Sequence, residues 1–261
     1  HRRSIATNET FERERRKELN KEYLDLCKQK DRKGLLIAEV EDALAHGADI
    51  EAGGCKAMYL AVKNHNFSLI NLLIRKGILK YPLAAGYIAS MCEFGDFETY
   101  RKQFFEVIDK AMTITGFSLD YFVPFFNMAL VHGDAEDAKA VADKYGVSYK
   151  QVADCVYERI IFEIIENDAT DSLTFIESYR NWINEKVLGV AVSAGNLKVA
   201  EYILSKESSL VPPVSSVCDA VFNGYREVLK LFPVPLTPQV LRNASVSKDK
   251  GMTDYIKSLP R

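Results

Sequence analysis

The chain has 261 residues, 48% hydrophobic and 27% charged, ordinary globular values that exclude wholesale disorder. Its 34 basic and 36 acidic residues leave a formal charge of −2, so no global field draws it to nucleic acid or to an acidic membrane. No apolar run reaches the roughly 18 residues that span a bilayer, and polar residues follow His1-Arg2-Arg3-Ser4, so neither a spanning helix nor a secretory signal is expected.

From the N-terminus, residues 8–30 read as a charged helix capped by Thr7 or Asn8, with Glu9 and Glu12 in its first turn. Its apolar stripe, Leu19, Tyr23, Leu24 and Cys27, is narrow and suits a helix that caps a larger array. Arg13, Arg15, Arg16 and Lys17 alternate with Glu12, Glu14 and Glu18, which reads as a solvated face.

A phrase then recurs: small or apolar residues, two variable residues, a turn-former, a polar residue, and an apolar helix ending in bulky side chains. It runs through Ala61 to Phe67 and on to Leu72-Leu73, and from Met91 to Phe97 and on to Phe104-Phe105. Ala129 to Ala135 and a weaker Ile164 to Ala169 follow, then Ala191 to Leu197 and Ala220 to Tyr225. The turn-formers stand at 65, 95, 133, 168, 195 and 224, at steps of 30, 38, 35, 27 and 29 residues. Each copy predicts helix, tight turn, helix. Glycine ends the first helix in a left-handed conformation, and Asn or Asp after it caps the second. The run Tyr121 to Phe126 reads as core, with an exposed hydrophobic docking patch as the alternative, and the sole tryptophan, Trp182, reads as core before interface hot spot. After Phe232, prolines 233, 235 and 238 break the helix, and residues 239–259 are expected to add one or two short polar helices.

Little chemistry is legible. The five cysteines, at 27, 55, 92, 155 and 218, are odd in number, far apart and never in C-x-x-C, so reduced and mostly buried thiols in a cytoplasmic protein are expected. Among four histidines, His46, His65 and His132 fall at or beside turns, and none pairs at the spacing of a metal helix. Phosphate loops, dinucleotide glycine fingerprints and nucleophile elbows are missing. Gly53-Gly54-Cys55 could set a nucleophile on a flexible turn, but no histidine is paired to it by a familiar pattern and the repeat explains the glycines. The expectation is a non-enzymatic protein without cofactor or metal.

Gly47-Ala48-Asp49-Ile50, then Gly54, Ala61-Val62, Leu72-Leu73 and Lys76-Gly77 together resemble the ankyrin-repeat family, and Leu188 to Ser205 resembles a second copy. The period fits as well, since the family's is roughly 33 residues. Where the family has T-P-L-H, this chain has Lys56-Ala57-Met58-Tyr59, and later copies place Pro82, Pro124 or Pro212-Pro213 in the connections. The resemblance implies an all-α, ankyrin-like solenoid of stacked helix-turn-helix repeats with few or no finger hairpins, any such hairpin lying near 49–54. Residues 1–34 would form an N-terminal charged helix or cap, 35–232 the array and 233–261 a C-terminal helical cap. It implies protein–protein recognition through a concave face by an adaptor or occluding inhibitor. Motif-poor arrays of this family are familiar in viruses, phages and intracellular bacteria, which points to a host-directed or anti-defence role. In the family, the two residues before each turn face the concavity. Lys63, Glu93, Phe94, His132 and Phe222 are therefore the expected partner-binding residues, and Val131 shares that register. The alternatives are an enzyme with a site in an inter-repeat groove, or a nucleic-acid or nucleotide binder using basic residues from several repeats.

Overall fold

The computed structural model describes residues 2–93 and 96–261, and its regular structure is entirely helical, with no strand among the described residues. The chain forms two compact units, one ending at Met128 and the other beginning at Ala129.

In the first unit α1 (Arg2–Cys27), α2 (Leu35–Ala45), α3 (Ala52–Lys63), α4 (Phe67–Arg75), α5 (Pro82–Ala89) and α6 (Phe97–Thr115) pack as successive pairs. The first members α1, α3 and α5 form one row, and the second members α2, α4 and α6 form another. α1 starts upstream of its expected cap: Thr7 and Asn8 lie inside it, and the Thr10 hydroxyl donates to the Ala6 carbonyl, a bond made in helix interiors. The expected stripe is what packs. Tyr23 and Cys27 are buried, and the Tyr23 hydroxyl donates to the Ile50 carbonyl at 3.0 Å. The charged face is exposed, its pairs Arg15–Glu12 and Lys17–Glu14 lying at 3.8 and 3.3 Å.

No hairpin forms at 49–54. Gly53, Gly54 and Cys55 instead take three consecutive left-handed conformations, φ 64°, 70° and 59°, as the chain enters α3. A second difference concerns Pro124, which lies inside α7 (Leu119–Val131) and not in a connection. The aromatics around it are the reason: Tyr121, Phe122, Phe125 and Phe126 are all at most 5% exposed, and helical spacing is what buries all four. The aromatic run and Trp182 (3% exposed) are thus core.

The second unit holds α8 (Ala135–Tyr145), α9 (Tyr149–Asp154), α10 (Glu158–Glu166), α11 (Thr170–Glu177), α12 (Glu185–Ser193), α13 (Leu197–Lys206), α14 (Val214–Asn223), α15 (Arg226–Leu229), α16 (Pro238–Ser245) and α17 (Met252–Ser258). α10/α11, α12/α13, α14/α15 and α16/α17 are pairs, and their first members, α10, α12, α14 and α16, pack side by side. The last two helices occupy the segment expected to close the chain. Ser247 Oγ donates to the Val221 carbonyl at 2.6 Å, and the Arg226 guanidinium holds Asp249 with both Nε and Nη2.

The turns carry the sequence signal into three dimensions. His65, Gly133, Asp168, Gly195 and Gly224 have φ of 52°, 84°, 56°, 67° and 78°, so all five described turn-formers are left-handed. The remaining one, Gly95, lies outside the described residues. At each of the five, the amide of the next residue reaches back five residues at 2.9–3.0 Å, and the turn residue's own amide reaches back three at 3.1–3.2 Å. This is the Schellman motif, which satisfies the orphan carbonyls at a helix end. Asn66, Asp96 and Asn196 then cap the second helix through their side chains, whereas Asp134 does not. Small residues precede four of the five described turns because the helices meet there: Ala61, Ala129, Ala191 and Ala220 are all 0% exposed, and Ile164 takes the place before Asp168.

Successive pairs meet at the same place. A Cβ on Gly133 would lie 3.9 Å from the Ala169 Cβ, Asn196 Nδ2 donates to Asp168 Oδ1 at 3.1 Å, and a Cβ on Gly195 would fall 2.8 Å from the Tyr225 ring. In each case the residue just after one turn covers the left-handed residue of the preceding turn. Gly146 has the same φ as Gly195, 67°, but a Cβ there would meet nothing within 4 Å. We therefore expect Gly146→Ala to cost about 1 kcal/mol of backbone strain and Gly195→Ala to cost about 2 kcal/mol more, through the Tyr225 clash. Equal chemical-denaturation midpoints for the two variants would show that the Tyr225 contact carries no weight.

Candidate functional site

In the copies ending at 65, 168, 195 and 224, at least one of the two residues before the turn is exposed at the end of the first helix. Lys63 and Asn64 are exposed at the end of α3, and the Lys63 ammonium lies 5.9 Å from the Tyr59 ring centroid. Glu93 is exposed as well, but it belongs to a 3-10 turn, Met91–Glu93, that follows α5. Phe94 lies outside the described residues. In the second unit His132, Glu166, Asn167, Ala194 and Phe222 are exposed. Val131 breaks the register: it is 3% exposed and belongs to the core. The chain is pinned there by the buried Ser172 hydroxyl, which donates to the Leu130 carbonyl at 2.5 Å, so the end of α7 is packed under α11.

Phe222 is 38% exposed, and the chain itself covers part of it. The Lys248 ammonium lies 5.7 Å from its ring centroid, and its carbonyl accepts the Lys248 amide at 2.9 Å. His132 lines a cleft of about 300 Å3 with Asn167, Asp168 and Asp171, between the turns at 133 and 168.

A larger groove, about 580 Å3, runs along the row α10, α12, α14. Phe162, Val190 and Pro213 give it apolar walls, and Glu166, Lys186 and Asp219 give it charge. Asp219 is oriented by Ser193 Oγ, which donates to it at 3.1 Å, and Lys186 pairs with Glu158 at 3.5 Å. Gly189 sets the spacing, since a Cβ there would fall 2.7 Å from Ser216 Oγ and 2.9 Å from Pro213 Cδ. Of the residues before the turns, Glu166, Ser193 and Ala194 line this groove. The repeat phrase does not single out Gly189, because its role depends on a proline and a serine of the following pair.

None of the cysteines is set up as a nucleophile. All five are free, and burial pushes each thiol above its ordinary value, Cys27 up to about 12. Cys55, on its left-handed turn, is 2% exposed and follows the same pattern. Among the described residues no group of three or more His, Cys, Asp or Glu is placed to hold a metal, and no helix is long and apolar enough to cross a membrane. The chain matches no protein-family model, no curated protein and no solved structure.

The thiols give a direct check. Cys155 alone is partly accessible, so a thiol reagent at pH 8 is expected to label Cys155 in the native protein and the other four only on unfolding. A raised thiol value in the folded state leaves stability unchanged while both states are protonated, then lowers it once only the unfolded chain loses protons. Stability should therefore fall as pH rises from about 9 towards 12, the value of Cys27. Rapid native labelling of Cys27 or Cys92 would contradict the burial described.

Proposed function

We propose that the chain is a non-enzymatic protein-binding module, an adaptor or occluding inhibitor built as an ankyrin-like array. The observation that supports this reading most is the groove along α10, α12 and α14. It joins half-buried apolar side chains to solvent-facing charges across several helix pairs, and such extended, mixed surfaces suit macromolecules better than small substrates. The raised thiols add to it, because they offer no activated nucleophile. On this reading His132 and Phe222 belong with the groove to the recognition surface of the second unit, and Lys63 and Glu93 are proposed binding residues of the first unit by itself. Phe94 is proposed with them on its sequence register alone. The partner is another protein, met in the cytoplasm.

The test is capture of partners from the native cellular background by wild-type protein, Ala194→Arg and Phe222→Ala, followed by affinity measurement on whatever is captured. Ala194 is exposed, so Ala194→Arg should leave the melting temperature within about 2 °C while weakening binding at least about tenfold. Undiminished capture by both variants would overturn the assignment of this face.

A further inference from the structure

The first unit carries a basic, partly apolar face on α3 and α5. Lys56, Leu60 and Lys63 stand at i, i+4 and i+7 on α3 and so form one stripe, its lysines exposed and its leucine half-buried. Leu83 and Tyr87 stand one turn apart on α5, and Leu83 is 55% exposed. The Tyr59 and Tyr87 rings, with centroids 5.5 Å apart, join the two helices. On its other side the face reaches α1, since a Cβ on Gly53 would meet Leu24 Cδ1 at 3.5 Å and Lys56 Cβ at 3.4 Å. A Cβ on Gly54 would meet Leu83 Cδ1 at 3.6 Å, so the exposed Gly53-Gly54 backbone is a floor between the leucines of α1 and α5. The left-handed turn at 53–55 presents that floor without side chains.

The charge on this face has one sign. Neither α3 nor α5 holds an Asp or Glu; Asp49 and Glu51 precede α3, and Glu93 follows α5. Lysines on other helices, such as Lys17, Lys139 and Lys230, each pair with a glutamate three residues before them. Lys56 and Lys63 have no such partner among the described residues, and the Lys63 ammonium lies only against the Tyr59 ring, at 5.9 Å. On α1, Lys21 and Lys28 stand about one turn to either side of Leu24, and Lys28 pairs with Asp25 at 3.4 Å. In a chain of net charge −2, this cluster is a local arrangement.

We infer that this face takes an acidic polypeptide segment with apolar side chains set between its carboxylates. Lys56 and Lys63 lie about 10 Å apart along α3, which an extended chain covers in about three residues. Carboxylates at that spacing meet both ammoniums, and an apolar side chain between them covers Leu60 or Leu83. Single-stranded nucleic acid brings the same charge, but its bases need open rings to stack on, and Tyr59 and Tyr87 are half-buried against each other. The inference rests on the protein-binding reading, and it names the partner chemistry of the first unit by itself.

The test titrates the full chain, by fluorescence anisotropy, with a labelled peptide holding Glu-Leu-Gly-Glu twice, with its glutamine counterpart, and with a labelled oligothymidylate. Saturable binding of the glutamate peptide is expected, and binding at least about tenfold weaker by the glutamine peptide. Lys56→Gln combined with Lys63→Gln should weaken the glutamate peptide about threefold to tenfold. Leu83→Ser should weaken it about threefold. All three positions are exposed, so the melting temperatures should not change. Equal binding of the two peptides, a titration that never saturates, or undiminished binding by the double lysine variant would overturn the face. Tighter binding of oligothymidylate than of the glutamate peptide would overturn the polypeptide occupant. Ala194→Arg, in the second unit, should leave the titration unchanged, and weaker binding there would overturn the placement on the first unit. If the peptide fails while cellular capture is still lost in Ala194→Arg, this partner chemistry falls and the protein-binding reading stands.

Discussion

At five described turns, 65, 133, 168, 195 and 224, the first helix of a pair ends with one residue at positive φ, and at 133, 168 and 195 the following pair is laid directly on that residue. The left-handed conformation is what lets two backbone amides turn back onto the last carbonyls of the helix, at 2.9–3.2 Å in every described copy. It also leaves the chain pointing along the second helix after only two or three residues. Where the following pair covers the position closely, the side chain is absent, as at Gly195 under Tyr225, or bonds to the neighbour, as Asp168 does with Asn196, while the His65 ring packs on Tyr100 and Phe104. A local conformational rule thus becomes a packing rule between pairs, and the rows of helices follow from it.

That coupling explains why the pattern is legible despite its irregular spacing. Gly, Asn, Asp and His reach the left-handed region at low cost, so the residue types at 65, 133, 168, 195 and 224 reveal the turns without reference to the rest of the fold. The alanines before them are legible for a related reason, since close approach of two helices leaves no room for more. Features that depend on distant partners are not. The start of α1 upstream of Thr7 has no capping residue to mark it, and the burial of Val131 depends on Ser172 of the following pair holding the end of α7. Glycines at 53 and 54 fit a hairpin and a left-handed entry to α3 equally well by composition; the backbone takes the second.

The candidate surfaces divide in the same way. Exposure before the turns follows from helical register and is readable at Lys63, Asn64, Glu166, Asn167 and Ala194. The groove that Glu166 and Ala194 border is not, because it is set by Gly189 against Pro213 and Ser216, more than twenty residues on. Trp182 reads as core in the sequence and is core in the fold, 3% exposed.

The most direct test of this account is native-state hydrogen exchange at the amides of Asn66, Asp134, Ala169, Asn196 and Tyr225, each of which bonds the carbonyl five residues before it. If the turns tie the pairs together, these amides open only with the helices they close, and their opening free energies match those of the adjoining helix interiors. Exchange at the rate of an unstructured loop, with the flanking helices still protected, would contradict it.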